Sequence, residues 1–301
     1  MNYNYYPGCS LQSAHKGYDK SCRAVFNSLG CDLIEIEDWN CCGATIYMSI
    51  NEVTALAVAS RNLALAEKTK RDLVTPCSSC FTILNKANRF IQNSIEVRDK
   101  VNSCLAEGGL NYNGTVRVRH PLDVLINDVG IEIIRLQIKI PLEELKIANY
   151  YGCQIVRPEK GFDDREDPTT MENLFEAAGA SNVYFPYKLR CCGGMLMTTF
   201  EEAALKLSKE ILECAIENGA DCIVTTCPLC QMNLEAYQNE IHNKYKTKVG
   251  IPILFFTQVL GAALGLSNEE LGIDSNFYRC KKLVEIKNKK SYTAQTVHSV
   301  I

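Results

Sequence analysis

The chain has 301 residues, enough for two domains of ordinary size. Its 47% hydrophobic and 22% charged residues are those of a globular protein, and a net charge of -3 gives no electrostatic reason to expect a nucleic-acid partner. The start, MNYNYYPGCS, has neither the charged nor the apolar region of an export signal, so a cytoplasmic setting is expected.

In chain order, residues 3–6 are predicted to form a short strand running into Pro7, Gly8 and Cys9. An amphipathic helix follows over 18–29, ended by Gly30, and then a strand over 32–36. Trp39 precedes the pair Cys41-Cys42 and Gly43. A long helix is predicted over 52–70. Its most hydrophobic part, 53–66, is interrupted by Ser60, Arg61 and Asn62 and is too short and polar to span a bilayer. A strand at 73–74 delivers Cys77-x-x-Cys80, which opens another helix.

The succession then returns. A strand at 147–151 leads to Cys153, and a helix over 171–178 is ended by Gly179. A strand at 182–185 precedes Cys191-Cys192-Gly193-Gly194, a helix runs over 201–218, and a strand at 222–225 delivers Cys227-x-x-Cys230. In both copies 34 residues lie between the cysteine pair and the Cys-x-x-Cys; 31 residues separate the lone cysteine from the pair in one copy and 37 in the other. One rule thus places ten of the sixteen cysteines. Alternating strands and helices predict an α/β protein of two pseudo-symmetric domains, 1–140 and 141–301, with the join at 130–145 and a small parallel sheet flanked by helices in each. Ligands of such sheets bind at the carboxyl ends of strands, where all three cysteine groups of each copy fall.

Adjacent cysteines are poorly placed to bond each other, and a chain of this size does not need a disulfide framework. Metal binding by thiolates is the better account. Zinc and iron–sulfur clusters usually take four protein ligands, so five per copy leaves one over. A larger or distorted cluster, or a thiolate displaced by substrate, would use the fifth, and spacing does not choose between them.

The pattern C-x31-CCG-x33-C-x-x-C followed by C-x37-CCG-x33-C-x-x-C resembles the duplicated cysteine-rich CCG domain, a Rossmann-like unit. The words YYPGCS, DWNCCGA, TPCSSC, YYGCQIVRP, GADCIVTTCPLCQMNL and IPILFFTQVLGAALGL are similar to the B subunit of heterodisulfide reductase. The resemblance runs from about residue 3 to 266. It implies two non-cubane [4Fe–4S] clusters, one on Cys9, Cys41, Cys42, Cys77 and Cys80, the other on Cys153, Cys191, Cys192, Cys227 and Cys230. It also implies the heterodisulfide of coenzyme M and coenzyme B as substrate, with each sulfur taken up by one cluster. The implied partners are a ferredoxin-like C subunit and a flavin-containing A subunit, joined by a hydrogenase or formate dehydrogenase module. Reducing a disulfide takes two electrons and a cluster passes one, which suits two sites. The chain has neither a ferredoxin run nor a dinucleotide fingerprint, so electrons are expected from a partner. Two other readings stand beside this one: an electron-transfer subunit of a glycolate, lactate or succinate oxidation system, and a zinc-stabilised scaffold.

Arg190 and Lys188, before the second cysteine pair, are the candidates for binding an anionic substrate, with Arg23, Arg61 and Arg157 behind them. Trp39 is expected to shield the first cluster. Pro76 and Pro228 are expected to fix the Cys-x-x-Cys loops. Cys22, Cys31, Cys104, Cys214, Cys222 and Cys280 are expected to be structural. His15, His120, His242 and His298 show no spaced ligand pattern, and His120 is assigned to packing and hydrogen bonding.

Overall fold

A computed structural model gives the fold and describes residues 1–44, 47–159 and 161–298, without the side chains of Tyr47 and 290–298. The side chain of His298 therefore lies outside the described residues.

The first half comprises β1 (Asn2–Tyr5), α1 (Gly8–Gln12), α2 (Lys16–Ser28), β2 (Asp32–Glu35), α3 (Tyr47–Ile50), α4 (Glu52–Glu67), β3 (Leu73–Val74), α5 (Ser78–Asn93), α6 (Ile95–Ala106) and β4 (Val118–Arg119). A connection of α7 (Pro121–Val124), a π-helical turn (Leu125–Val129) and α8 (Ile131–Gln137) leads onward. The second half comprises β5 (Lys146–Tyr150), α9 (Thr170–Ala177), β6 (Ser181–Asn182), α10 (Leu196–Thr199), α11 (Glu201–Glu217), β7 (Cys222–Thr225), α12 (Pro228–Glu235), α13 (Gln238–Tyr245) and β8 (Ile253–Phe255). The chain continues through α14 (Phe256–Ala263), α15 (Asn268–Leu271) and α16 (Lys281–His298).

Each half builds a four-stranded parallel sheet, in the orders β2-β1-β3-β4 and β6-β5-β7-β8. The identical order carries the repeat from sequence into topology. It also creates a switch point in each sheet, between β1 and β3 and between β5 and β7, where the chain turns away in opposite directions and leaves a crevice. Local signals set the elements. Asn51 accepts from the Thr54 amide (3.1 Å) to start α4, and Ser94 accepts from Val97 (3.3 Å) to start α6. Gly30 (φ 72°) and Gly179 (φ 86°) end α2 and α9, in a left-handed conformation open to glycine at no steric cost.

One expectation fails in the fold. The strand at 182–185 stops at Asn182: Val183 still donates to Ile147 (2.9 Å), but beyond it Phe185 turns inward against the Tyr150 ring.

Two apolar clusters hold the molecule together, and each draws on both halves. Tyr5, Tyr18 and Phe26 pack with Phe175, Phe255, Phe256 and Val259. Leu56, Leu63, Phe81 and Leu84 share a cluster with Tyr150, Leu212, Ile223 and Leu234. Each such side chain contributes on the order of 1.5–3 kcal/mol by leaving water. Among the described residues no helix is long and apolar enough to cross a membrane.

Candidate metal centre

The switch points gather the cysteines. Beyond β1 the chain enters α1 at once, so Cys9 lies on a helical turn rather than in a loop. Beyond the neighbouring β3, Cys77 is the N-cap of α5 and Cys80 lies in its first turn. Cys41 and Cys42 come from the segment after β2. In the second half Cys153 follows β5, Cys227 caps α12, Cys230 sits in its first turn, and Cys191 and Cys192 follow β6. The Cys42 and Cys80 sulfurs are 3.1 Å apart, and those of Cys192 and Cys230 are 3.5 Å apart. Cys9, Cys41 and Cys191 are exposed and Cys153 half-buried, while the other six are buried. Hydrogen bonds from Cys41 and then Cys80 hold the Cys42 thiol well below its ordinary value; those of Cys153 and Cys192 do the same for Cys191. The same contacts raise the donors, Cys41 and Cys80 in the first set and Cys153 and Cys192 in the second, so each set shares its protons unevenly.

Matched residues, which sequence reasoning missed, frame each set. Tyr6 and Tyr150 stand three residues before the lone cysteines. The Tyr6 hydroxyl donates to the Asn40 carbonyl (2.8 Å) and that of Tyr150 to the Arg190 carbonyl (2.5 Å), in each case the residue before the cysteine pair. Burial, and then the surrounding thiols, hold both phenols well above their ordinary range, so they remain neutral donors. Gly8 (φ 74°) and Gly152 (φ 69°) precede the lone cysteines. A Cβ on Gly8 would lie 3.3 Å from the Cys80 sulfur, and one on Gly152 would lie 3.1 Å from that of Cys230. The signal was present: Tyr at -3 and Gly at -1 accompany both lone cysteines.

The two sets meet across the seam between the halves. The buried Cys77 and Cys227 thiols are close enough to influence each other's ionisation. The Tyr18 hydroxyl donates to the carbonyls of Pro76 (3.1 Å) and Thr226 (3.2 Å), the residues before those cysteines. Ser78 donates to the Thr226 carbonyl (3.2 Å), and the His120 Nε2 lies 2.9 Å from the Pro76 carbonyl. Because the Leu122 amide donates to His120 Nδ1 (3.1 Å), the proton of the neutral ring sits on Nε2. Burial holds His120 down to about 4. The Tyr18 ring stacks on Phe255, with centroids 3.9 Å apart. This clasp joins the halves through hydrogen bonds to Thr226 and through the stacked Tyr18 and Phe255 rings.

The cationic candidates are placed as follows. Lys188 pairs with Asp167 (2.5 Å) and Glu172 (3.6 Å) and donates to the Pro168 carbonyl. Arg190 pairs with Glu210 and lies over the Tyr187 ring. Arg23 pairs with Asp19 and Glu35, and Arg61 with Asp38. Arg157 donates to the Cys153 carbonyl (3.0 Å). Trp39 packs edge-on against Tyr6 and donates to Glu35 (3.0 Å). Among the described residues no peptide bond is cis, so the bonds before Pro76 and Pro228 are trans. Of the six other cysteines, Cys104 is exposed; Cys22, Cys31, Cys214, Cys222 and Cys280 are buried. His15 contacts Gln231 (3.1 Å), and His242 the Thr247 carbonyl (2.7 Å).

Among the described residues no three His, Cys, Asp or Glu side chains converge as one metal ion requires. Two five-thiol sets, each with a glycine kept free of Cβ beside a cysteine sulfur, have the donors and the room that an iron–sulfur cluster takes.

Parallel sheets in duplicate, each with its cysteines at the switch point, define a protein of two cysteine-rich α/β units. The chain belongs to the cysteine-rich (CCG) domain family, whose model matches residues 3–85 and 147–235. It is 38% identical over 281 residues to the 8-methylmenaquinol:fumarate reductase membrane anchor subunit of Wolinella succinogenes, covering 93% of this chain and 98% of that one. It is 35% identical over 274 residues to the B subunit of the ferredoxin/F(420)H(2)-dependent CoB-CoM heterodisulfide reductase of Methanosarcina acetivorans, covering 89% and 91%. In fold it is similar to a hypothetical protein from Helicobacter pylori, with a TM-score of 0.78 and 17% identity over 92% of this chain; the match spans 52% of that longer chain.

Proposed function

We propose that the chain is the catalytic iron–sulfur subunit of a heterodisulfide reductase, two halves (1–140 and 141–301) each holding one non-cubane [4Fe–4S] cluster. The observation that carries this reading is the Tyr18 hydroxyl, which meets the carbonyls of both Pro76 (3.1 Å) and Thr226 (3.2 Å) and so draws the residues before Cys77 and Cys227 under one clasp. Cys9, Cys41, Cys42, Cys77 and Cys80 would hold one cluster, and Cys153, Cys191, Cys192, Cys227 and Cys230 the other. When bound, the clusters supply one-electron transfer on either side of the substrate S–S bond.

The protein's own groups do the rest. Gly8 and Gly152 keep side-chain bulk away from the ligand sulfurs. Tyr6 and Tyr150 hold the carbonyls that precede the cysteine pairs, and Tyr18 and His120 hold those that precede Cys77 and Cys227. The stacked Tyr18 and Phe255, with Phe256 alongside, exclude water from the seam. The exposed Cys9, Cys41 and Cys191 leave an open face for the disulfide of coenzyme M and coenzyme B and for the electron-donating partners, a ferredoxin-like C subunit and a flavin-containing A subunit. For Lys188 and Arg190 to bind the substrate's anionic groups, their ion pairs with Asp167 and Glu210 must open.

A second reading is favoured by the Wolinella relative: the same two sites passing electrons within a quinol:fumarate reductase. Anaerobic iron and sulfide analysis with paramagnetic resonance separates them. Roughly eight irons per chain and a new signal on adding coenzyme M are expected. The same irons without a thiol response transfer the assignment to the second reading, and zinc in place of iron sinks both. Cys42→Ser and Cys192→Ser are each expected to lose about half the iron and all disulfide turnover.

A further inference from the structure

The middle of α5 carries a polar stripe that the cysteine chemistry does not use. Thr82, Asn85, Lys86 and Arg89 follow one another at helical spacing on one face. They line a cleft of about 280 Å³, closed on the other side by Arg157 and Glu159 from the segment after Cys153. The cleft brings three cations together against one carboxylate. Its volume is just below the roughly 300 Å³ at which whole-ligand sites begin, which suits the end of a molecule rather than all of it.

Two hydrogen bonds fasten the cleft to the thiol sets. Arg157 Nε donates to the Cys153 carbonyl (3.0 Å), and Thr82 Oγ1 donates to the Gln154 carbonyl (2.7 Å). The same helix α5 begins at Cys77 and Cys80, so the cleft is tied to a ligand cysteine of each half. Its cations are held loosely. Lys86 is 3.9 Å from Glu52, and Arg89 meets Glu159 at 2.7 Å between two exposed side chains, an ion pair of little net strength. Glu159 marks where an oxyanion meets Arg89, and an incoming anion would displace it.

We propose that this cleft is an oxyanion subsite: Lys86, Arg89 and Arg157 bind the phosphate or carboxylate end of the molecule whose reactive end is handled at the cysteines. This rests on the redox reading above and names the chemistry of the ligand's far end. Guanidinium groups suit both anions, since each can be met by paired N–H donors.

The test uses the full chain, purified anaerobically, with iron content and thermal midpoint recorded for every variant. Inorganic phosphate and, separately, succinate are titrated by calorimetry. At least one anion is expected to bind the unaltered chain, and the tighter of the two names the source. The double variant Lys86→Gln, Arg157→Gln is expected to bind it at least about tenfold more weakly, and Glu159→Gln to bind it more tightly, at unchanged iron content. No binding of either anion to the unaltered chain, or equal affinity in the double variant, overturns the subsite. Iron content alone decides the redox reading, so the two failures are distinguishable.

Discussion

His120 and Glu235 are both buried, yet they tie stability to pH in opposite directions. Burial lowers His120 to about 4, below the usual 6.5 or so of the unfolded chain. The unfolded state therefore takes up the proton first, and the stability His120 contributes is full above about pH 6.5 and lost as the pH falls toward 4. Burial raises Glu235 to about 7, so its contribution is full below the unfolded value near 4.5 and lost as the pH rises through 7. Each amounts to at most about 3 kcal/mol over its window. Between about pH 5 and 6.5 the two slopes offset each other. Urea denaturation over this range is expected to give a nearly flat stability for the unaltered chain, a falling one with pH for His120→Asn and a rising one for Glu235→Gln. Parallel slopes in all three would remove these two groups from the account. Glycine matters at the same scale. Gly152→Ala places a Cβ 3.1 Å from the Cys230 sulfur at a φ of 69°, a backbone strain of about 1–2 kcal/mol for an L-residue. Iron loss confined to the second set, read by metal analysis with stability as the control, is the expected outcome.

At the scale of elements, the first three strands of each half, the helices between them and the placing of the ten cysteines beyond strand ends were legible because one spacing recurs; the outer strands β4 and β8, which carry no cysteine motif, were not. Tyr6 and Tyr150 were not, since a tyrosine in a strand reads first as β-propensity and burial. Arg190 invites attention for its charge, yet its backbone carbonyl receives the Tyr150 hydroxyl and its guanidinium turns to Glu210 on α11. The clasp left no trace in the pattern. Tyr18 lies on α2 and His120 beyond β4, and both act on loops distant in sequence. Tyr18→Phe strips one donor from two buried carbonyls and is expected to cost about 1–3 kcal/mol. It is also expected to speed alkylation of Cys77 and Cys227 in metal-stripped protein, measured by mass spectrometry. A stability loss without that change in reactivity would make Tyr18 a packing residue only.

For the whole molecule, the repeat and the packing follow different boundaries. The sheets separate between β4 and β5, but α14 from the C-terminal region lies on α2 of the first half, and both apolar clusters cross the seam. The sequence could announce the duplication because spacing is local. It could not announce the shared core, because Phe255, Phe256 and Val259 look the same whichever half they cover. A fragment of residues 1–140 would leave Tyr18, Val25 and Phe26 without those partners. Circular dichroism of that fragment is expected to show no cooperative melting, whereas the full chain melts in one transition.

The α14–α2 contact bears on how such a protein can change over generations. Two copies of a gene segment that each folded alone could drift, be swapped or be lost one at a time. With α14 lying on α2, loss of either copy would uncover the other's core, so the pair is inherited as one unit. Symmetry then survives where the thiols need it, while the seam is free to specialise, with Tyr18 and His120 on one side and Phe255 and Phe256 on the other.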